Sequence, residues 1–234
     1  PDASPRRRLP DPDTIADGPS VILIVVDTLR ADHLSGYGYS RSTSPNLDRL
    51  ARSGFLYPVC RSPANWTPPG HASIFTGRFP LSHGAHKTRG GGDSRYPTCL
   101  PLRGQETTLA EMLSEHGYRT AAVVANYGFV SPAYGLDQGF QFWFSSPPQE
   151  IRPALQSVAN RLGLDVFPDV VAGPVFYRRA GEISDISLRW IRRHGDRPFM
   201  LFMNLMDPHE PYAPPPPWDG RWAGKIDGFR PNPA

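Results

Sequence analysis

Six consecutive apolar residues, Val21-Ile22-Leu23-Ile24-Val25-Val26, run directly into Asp27. A run of β-branched and leucine side chains with no polar alternation, bounded by polar residues, predicts a strand buried on both faces of a parallel α/β sheet. Two further runs, over 120–124 and 199–204, read the same way. Between them lie helical patterns over 45–53, 70–77, 107–116, 153–162 and 181–193, and strands alternating with helices require crossover connections. The predicted fold class is therefore α/β, with a mainly parallel central sheet flanked by helices on both faces. At 234 residues and 39% hydrophobic content, the chain can bury one sizeable core of this kind. The stretch 147–174 has the weakest pattern and reads as a variable insertion facing the substrate.

In open α/β sheets the ligand crevice lies outside the carboxyl ends of the strands. Asp27 falls there, at the end of the first run, and reads either as a metal ligand or as the cap of the turn Thr28-Leu29-Arg30. His209 follows the last run and reaches the same crevice. It reads as a donor to a leaving group or substrate oxygen, or as a loop histidine bonded to a carbonyl among the neighbouring prolines.

A second constraint comes from Trp66-Thr67-Pro68-Pro69-Gly70-His71. Proline suits the first helical turn, where its missing N–H would have no partner, so Pro68 and Pro69 predict a helix starting just after Thr67. Thr67 would then be the N-cap, and two readings stand. It caps its helix and nothing more, or its hydroxyl is an activated nucleophile facing a tetrahedral oxyanion in the field of the helix N-terminus.

The segment from Val21 through Asp27-Thr28-Leu29-Arg30-Ala31-Asp32-His33-Leu34, followed by Gly36-Tyr37-Gly38-Tyr39 and Thr43-Ser44-Pro45-Asn46-Leu47-Asp48, resembles the opening of the sulfatase family in the alkaline phosphatase superfamily. Thr67 to Arg78 with Phe79-Pro80-Leu81-Ser82-His83-Gly84 resembles that family's nucleophile helix. Leu109-Ala110-Glu111-Met112-Leu113, Gly135-Leu136-Asp137-Gln138-Gly139-Phe140 and Asp207-Pro208-His209-Glu210-Pro211-Tyr212 continue the likeness in the same order. The resemblance implies an alkaline-phosphatase-like fold and a metal-dependent ester hydrolase. Residues 20–234 would form the N-terminal part of a sulfatase-like catalytic domain, after a flexible lead over 1–19.

Departures from the family pattern refine that expectation. Sulfatases of the formylglycine type carry Cys or Ser in a Cys-x-Pro-x-Arg pattern; here Thr67 stands at that place, Pro69 matches the proline and His71 replaces the arginine. Neither Cys60 nor Cys99 restores the pattern. A threonine ester must be cleaved by water or another acceptor, which phosphorus tolerates more readily than sulfur. This chain thus resembles the phosphodiesterase, phosphonate-ester hydrolase and phosphoglycerol or phosphoethanolamine transferase branches more than the true sulfatases. The implied mechanism holds a divalent cation (Mn, Ca, Mg or Zn) between Asp27 and Thr67, forms a covalent intermediate on Thr67 and resolves it with water or an alcohol. His71, one turn along the helix, would orient Thr67 or contact the leaving group. Asn126, where the family's Gly-Lys-x-His motif falls, reads as a substrate hydrogen-bond donor or as a turn residue.

Two features weaken the family's ligand set. Thr28 stands where a second acid usually follows the first. The family's late Asp-His or Asp-Asn ligands also lack a counterpart, since the only Asp-His pair is Asp32-His33. The chain therefore reads as the amino-terminal part of a longer enzyme, or as a non-catalytic truncated relative. The implied substrate is a small-molecule, lipid or glycan ester. Of the 25 basic residues only Lys87 and Lys225 are lysines, and no basic stripe interleaved with aromatics argues for nucleic acid. The two cysteines have no zinc-site or disulfide-framework spacing. No stretch is apolar over signal-peptide or membrane length, which is compatible with a periplasmic, extracytoplasmic or cytoplasmic location and leaves membrane association open.

Overall fold

The computed structural model of the chain describes residues 16–86, 99–145, 177–210, 212, 214–218 and 220–221. Four strands, β1 (Val21–Val26), β2 (Arg119–Val124), β3 (Phe142–Ser145) and β4 (Phe199–Leu205), form one sheet in the order β1-β4-β2-β3. Every pairing is parallel, as the apolar runs required. Val26 pairs with Leu205, and Val124 with Asn204, so β1, β4 and β2 end at nearly one level. That level carries the segments that begin with Asp27, Ala125 and Met206.

Side-chain alternation divides the sheet between two helical layers. Ala121, Val123, Leu201 and Met203 pack with Ile183 and Trp190 of α5 (Ala180–His194). Ala122, Val124 and Phe202, with Leu23 and Val25, pack with Ala72 and Phe75 of α2 (Thr67–Thr76). Helices therefore cover both faces of the central strands. An edge-to-face contact of Phe75 on Phe202, with ring centroids 4.8 Å apart, seats α2 on the sheet. The remaining helices are α1 (Pro45–Ser53), α3 (Pro80–His83) and α4 (Leu109–Glu115), the last closed by a Thr108/Glu111 capping box.

Two expectations need correction, and two features add to them. The helix expected from residue 70 starts at Thr67, with Trp66 as the extended N-cap, so Thr67 is the first helical residue and not the cap. The reason is that the first helical N–H groups all lack partners, which makes proline as cheap at the second and third positions as at the first. Strand β1 is not buried on both faces: Ile22 and Ile24 are 50% and 53% exposed, because β1 is a sheet edge and α5 packs over its neighbours β4 and β2. Strand β3 was not predicted. Finally, His83 ends a separate helix, α3, and is fully buried. The predicted helix over 153–162 and the segment 147–174 lie outside the described residues. No helix among the described residues is long and apolar enough to cross a membrane.

His83 ties α3 to α2. Its Nδ1 accepts from the Ala85 amide at 3.1 Å, which leaves the proton on Nε2, and Nε2 donates to Ser73 Oγ at 2.9 Å. Burial pushes the His83 pKa below the ordinary histidine value, and the same holds for the buried His71. Both rings are neutral in the fold but take up protons when unfolded. The unfolded chain therefore binds more protons as pH falls through about 6.5, and stability declines over that interval. Urea unfolding at a series of pH values should show a lower midpoint at pH about 5.5 than at about 7.5. His83→Gln, whose amide can replace the Nε2 donor, should reduce the slope.

Candidate active site

A cavity of about 460 Å³ opens at the carboxyl end of β1, between that strand and the start of α2. Asp27, Thr28, Thr67, His71 and His209 line it, with Leu29, Trp66 and Ile74 as its apolar wall. The β1–β4 ladder fixes Asp27, whose amide donates to the Leu205 carbonyl at 2.8 Å. Thr28 then adopts a left-handed conformation (φ 56°), strained for a β-branched residue, as the chain turns away from the sheet.

Four of the five residues singled out from the sequence are linked to one another here. The Thr67 hydroxyl donates to Asp27 Oδ2 at 3.3 Å, and Asn126 Nδ2 approaches the same oxygen at 3.4 Å. Asn126 is also a turn residue, its Oδ1 accepting from the Phe129 amide at 3.0 Å. His71 Nδ1 donates to the Thr67 carbonyl at 2.8 Å. With the proton on Nδ1, the lone pair of Nε2 faces Asn204 Nδ2 at 3.4 Å. His71 thus holds the backbone of the threonine. His209 also lines the cavity, and its Nδ1 donates to the Glu210 carbonyl at 3.0 Å, as the loop reading of this histidine expects.

The helix start offers fewer donors than its sequence suggested. Pro68 and Pro69 have no N–H, and the Gly70 amide is spent on the Trp66 carbonyl at 3.1 Å, so the Thr67 amide is the remaining first-turn donor. The helix dipole is unaffected by this loss. The cavity lining contains no arginine or lysine, and Asp27 forms no ion pair among the described residues. A carboxylate and a hydroxyl at one point, with no protein cation beside them, form an oxygen donor pair of the type hard divalent ions use. The pair fits part of such a coordination sphere; among the described residues no group of three or more His, Cys, Asp or Glu side chains gathers to complete one.

Asn204 escaped the sequence reading. It is fully buried near the end of β4, and its Oδ1 accepts from the Asn126 amide at 3.0 Å while its Nδ2 faces His71. The signal was present, since one carboxamide inside Phe-Met-Leu-Phe-Met-Asn-Leu must find partners or stay out of the core. Replacing it by leucine strands the Asn126 amide and removes the neighbour of His71. Asn204→Leu should therefore lower the unfolding free energy by about 2–4 kcal/mol in urea titrations. Asn204→Asp keeps the acceptor for Asn126 and should draw a proton onto His71, visible as a changed side-chain ¹⁵N pattern.

Comparison with known proteins agrees with this architecture. A sulfatase family model matches residues 19–226. The dog N-acetylgalactosamine-6-sulfatase is 28% identical over 218 residues, covering 85% of this chain and 41% of that enzyme. Bovine arylsulfatase A is 37% identical over 111 residues, 45% of this chain and 20% of that enzyme. The chain thus spans less than half the length of these relatives. Among solved structures, the phosphonate monoester hydrolase of Agrobacterium radiobacter superimposes with TM-score 0.58 at 20% identity, over 86% of this chain and 43% of that one. The zinc complex of the periplasmic domain of Escherichia coli EptC superimposes with TM-score 0.58 at 13% identity, over 95% and 53% of the respective chains. At these identities the structural likenesses establish an alkaline-phosphatase-like fold. From the extent of the family match, this chain belongs to the sulfatase family.

Proposed function

We propose that the chain is the nucleophile-bearing part of a metal-dependent hydrolase of sulfate, phosphate or phosphonate esters, working through a covalent ester on Thr67. The observation that carries this reading is the hydrogen bond from Thr67 Oγ1 to Asp27 Oδ2, 3.3 Å long, at the mouth of a strand-end cavity. A carboxylate accepting from the hydroxyl, at the positive end of a helix, favours oxyanion character on Thr67. A divalent cation held by Asp27 and Thr67 would lower the hydroxyl pKa further and polarise the ester.

In the proposed reaction Asp27 Oδ2 takes the Thr67 hydroxyl proton as Thr67 Oγ1 attacks sulfur or phosphorus, and the bond to the ester's leaving oxygen breaks. His209, on the cavity wall, donates a proton to that oxygen. Asn126, from the end of β2, gives its Nδ2 hydrogens to Asp27 and to a substrate oxygen. Water then attacks the sulfur or phosphorus of the threonine ester and gives a proton back to His209, while the Thr67 oxygen leaves and recovers its proton from Asp27. His71 takes no proton in this scheme, since its Nδ1–H is committed to the Thr67 carbonyl; it sets the position of the first turn.

The test is hydrolysis of para-nitrophenyl sulfate, a para-nitrophenyl phosphodiester and a phosphonate monoester by the protein with Mn²⁺. Thr67→Ala should reduce turnover by at least about a thousandfold, Thr67→Ser should retain part of it, and quenched reactions should show a sulfuryl or phosphoryl adduct on Thr67. Full turnover by Thr67→Ala would remove the proposal. Thr28→Asp places a second carboxylate on the cavity wall, in a left-handed conformation that aspartate tolerates better than threonine. It should tighten Mn²⁺ binding about tenfold or more by calorimetry, the response expected of an added oxygen ligand.

A further inference from the structure

A second cavity, of about 260 Å³, lies farther along α2. Arg61, Ser73, Arg78 and Phe79 line it, and Ile74 lines both this cavity and the first, so the two adjoin across that side chain. Their electrostatics differ. The first contains Asp27 and no arginine or lysine, whereas the second contains two arginines and no acid. Ser73 is six residues beyond Thr67, which places the second cavity about 9 Å along the helix axis from the candidate nucleophile.

The donors of the second cavity are already arranged. Arg78 Nη1 is held by the buried Glu106 at 2.7 Å, and a guanidinium has further N–H groups beyond that contact. Arg103 also reaches Glu106, at 3.4 Å, so the one acid faces two cations and the cluster keeps net positive charge. Arg61 is exposed and has no salt bridge among the described residues. Ser73 is 94% buried by its 6% exposure, and its oxygen accepts from His83 Nε2, which leaves the hydroxyl hydrogen available to donate. Phe79 is 71% exposed at the rim, a flat apolar surface of the sort against which a sugar ring or alkyl chain rests.

We infer that the second cavity is a subsite for another oxyanion of the same substrate, so that the preferred ester is polyanionic, with a second sulfate, phosphate or carboxylate at least about 9 Å from the ester cleaved at Thr67. The inference rests on the proposed reaction for its orientation, but its own content is the Arg61, Ser73 and Arg78 site. A separation of this size requires an extended substrate whose two oxyanions stand well apart. Single-ring monoesters occupy the first cavity alone.

The probe is sucrose octasulfate, titrated by NMR and calorimetry into the ¹⁵N-labelled protein, with para-nitrophenyl sulfate as the single-anion comparison. The octasulfate should shift the Arg61 and Arg78 side-chain resonances and the Ser73 and Gly77 amides, and Arg61→Glu should weaken its binding about tenfold or more. Arg192→Glu, the same charge change on exposed α5, should leave the affinity within about twofold. Both variants should bind and turn over the monoester like the parent protein. Equal weakening by Arg61→Glu and Arg192→Glu, or no shift at Ser73 and Arg78, overturns the subsite. Octasulfate binding that depends on Arg61, together with no turnover of any ester, would refute the reaction at Thr67 and leave the subsite standing.

Discussion

A single carboxamide, buried where the central strands end, holds the candidate site together. Asn204 on β4 receives the amide that follows β2 and faces the histidine that grips the first turn of α2. One side chain thus relates three segments that are far apart in sequence. Inside a protein, a polar group so placed stabilises one arrangement and penalises the alternatives, because any shift leaves donors or acceptors without partners. Asp27, Thr67 and Asn126 owe their mutual distances to this junction, to the β1–β4 ladder and to the contacts that Thr67 and Asn126 make with Asp27 Oδ2.

The division of labour between the histidines follows from the same geometry. His71 sits nearest the threonine in sequence, yet both of its nitrogens face protein groups, so its contribution is to position backbone. His209 comes from the opposite side of the cavity, on a loop rich in proline, with one nitrogen committed to a neighbouring carbonyl. With Nδ1–H committed, Nε2 is the nitrogen left to exchange a proton in the proposed reaction. The paired prolines after Thr67 act in the opposite sense. They start the helix at that residue but remove two amides that could have met an oxyanion, and the cavity lining has no arginine or lysine to compensate.

Much of this was legible in the sequence, for identifiable reasons. Long apolar runs ending in Asp27, Asn126 and the Asp207-Pro208-His209 segment revealed three of the four strands and the side of the sheet on which the site lies. Strand β3 has four residues, Phe-Trp-Phe-Ser, too few to show a period, and it exists because β2 offers it a partner. The helix boundary at Thr67 was misplaced because proline tolerates all three first-turn positions alike. Asn204 lies inside the apolar run, where its composition alone does not tell a buried junction from an isolated polar residue. Exposure of one face of β1 could not be seen from its composition, since a six-residue apolar run looks the same whether one side or both are covered.

That uncovered face has a consequence of its own. Ile22 and Ile24 point away from the α2 layer on a strand whose outer edge has no partner among the described residues, and α1 buries none of its own side chains while Leu50 and nearby Phe55 are 66% and 93% exposed. Open strand edges beside bare isoleucines invite a neighbouring molecule to add a strand, the first step of cross-β aggregation. At high concentration that edge is where self-association of the polypeptide would begin.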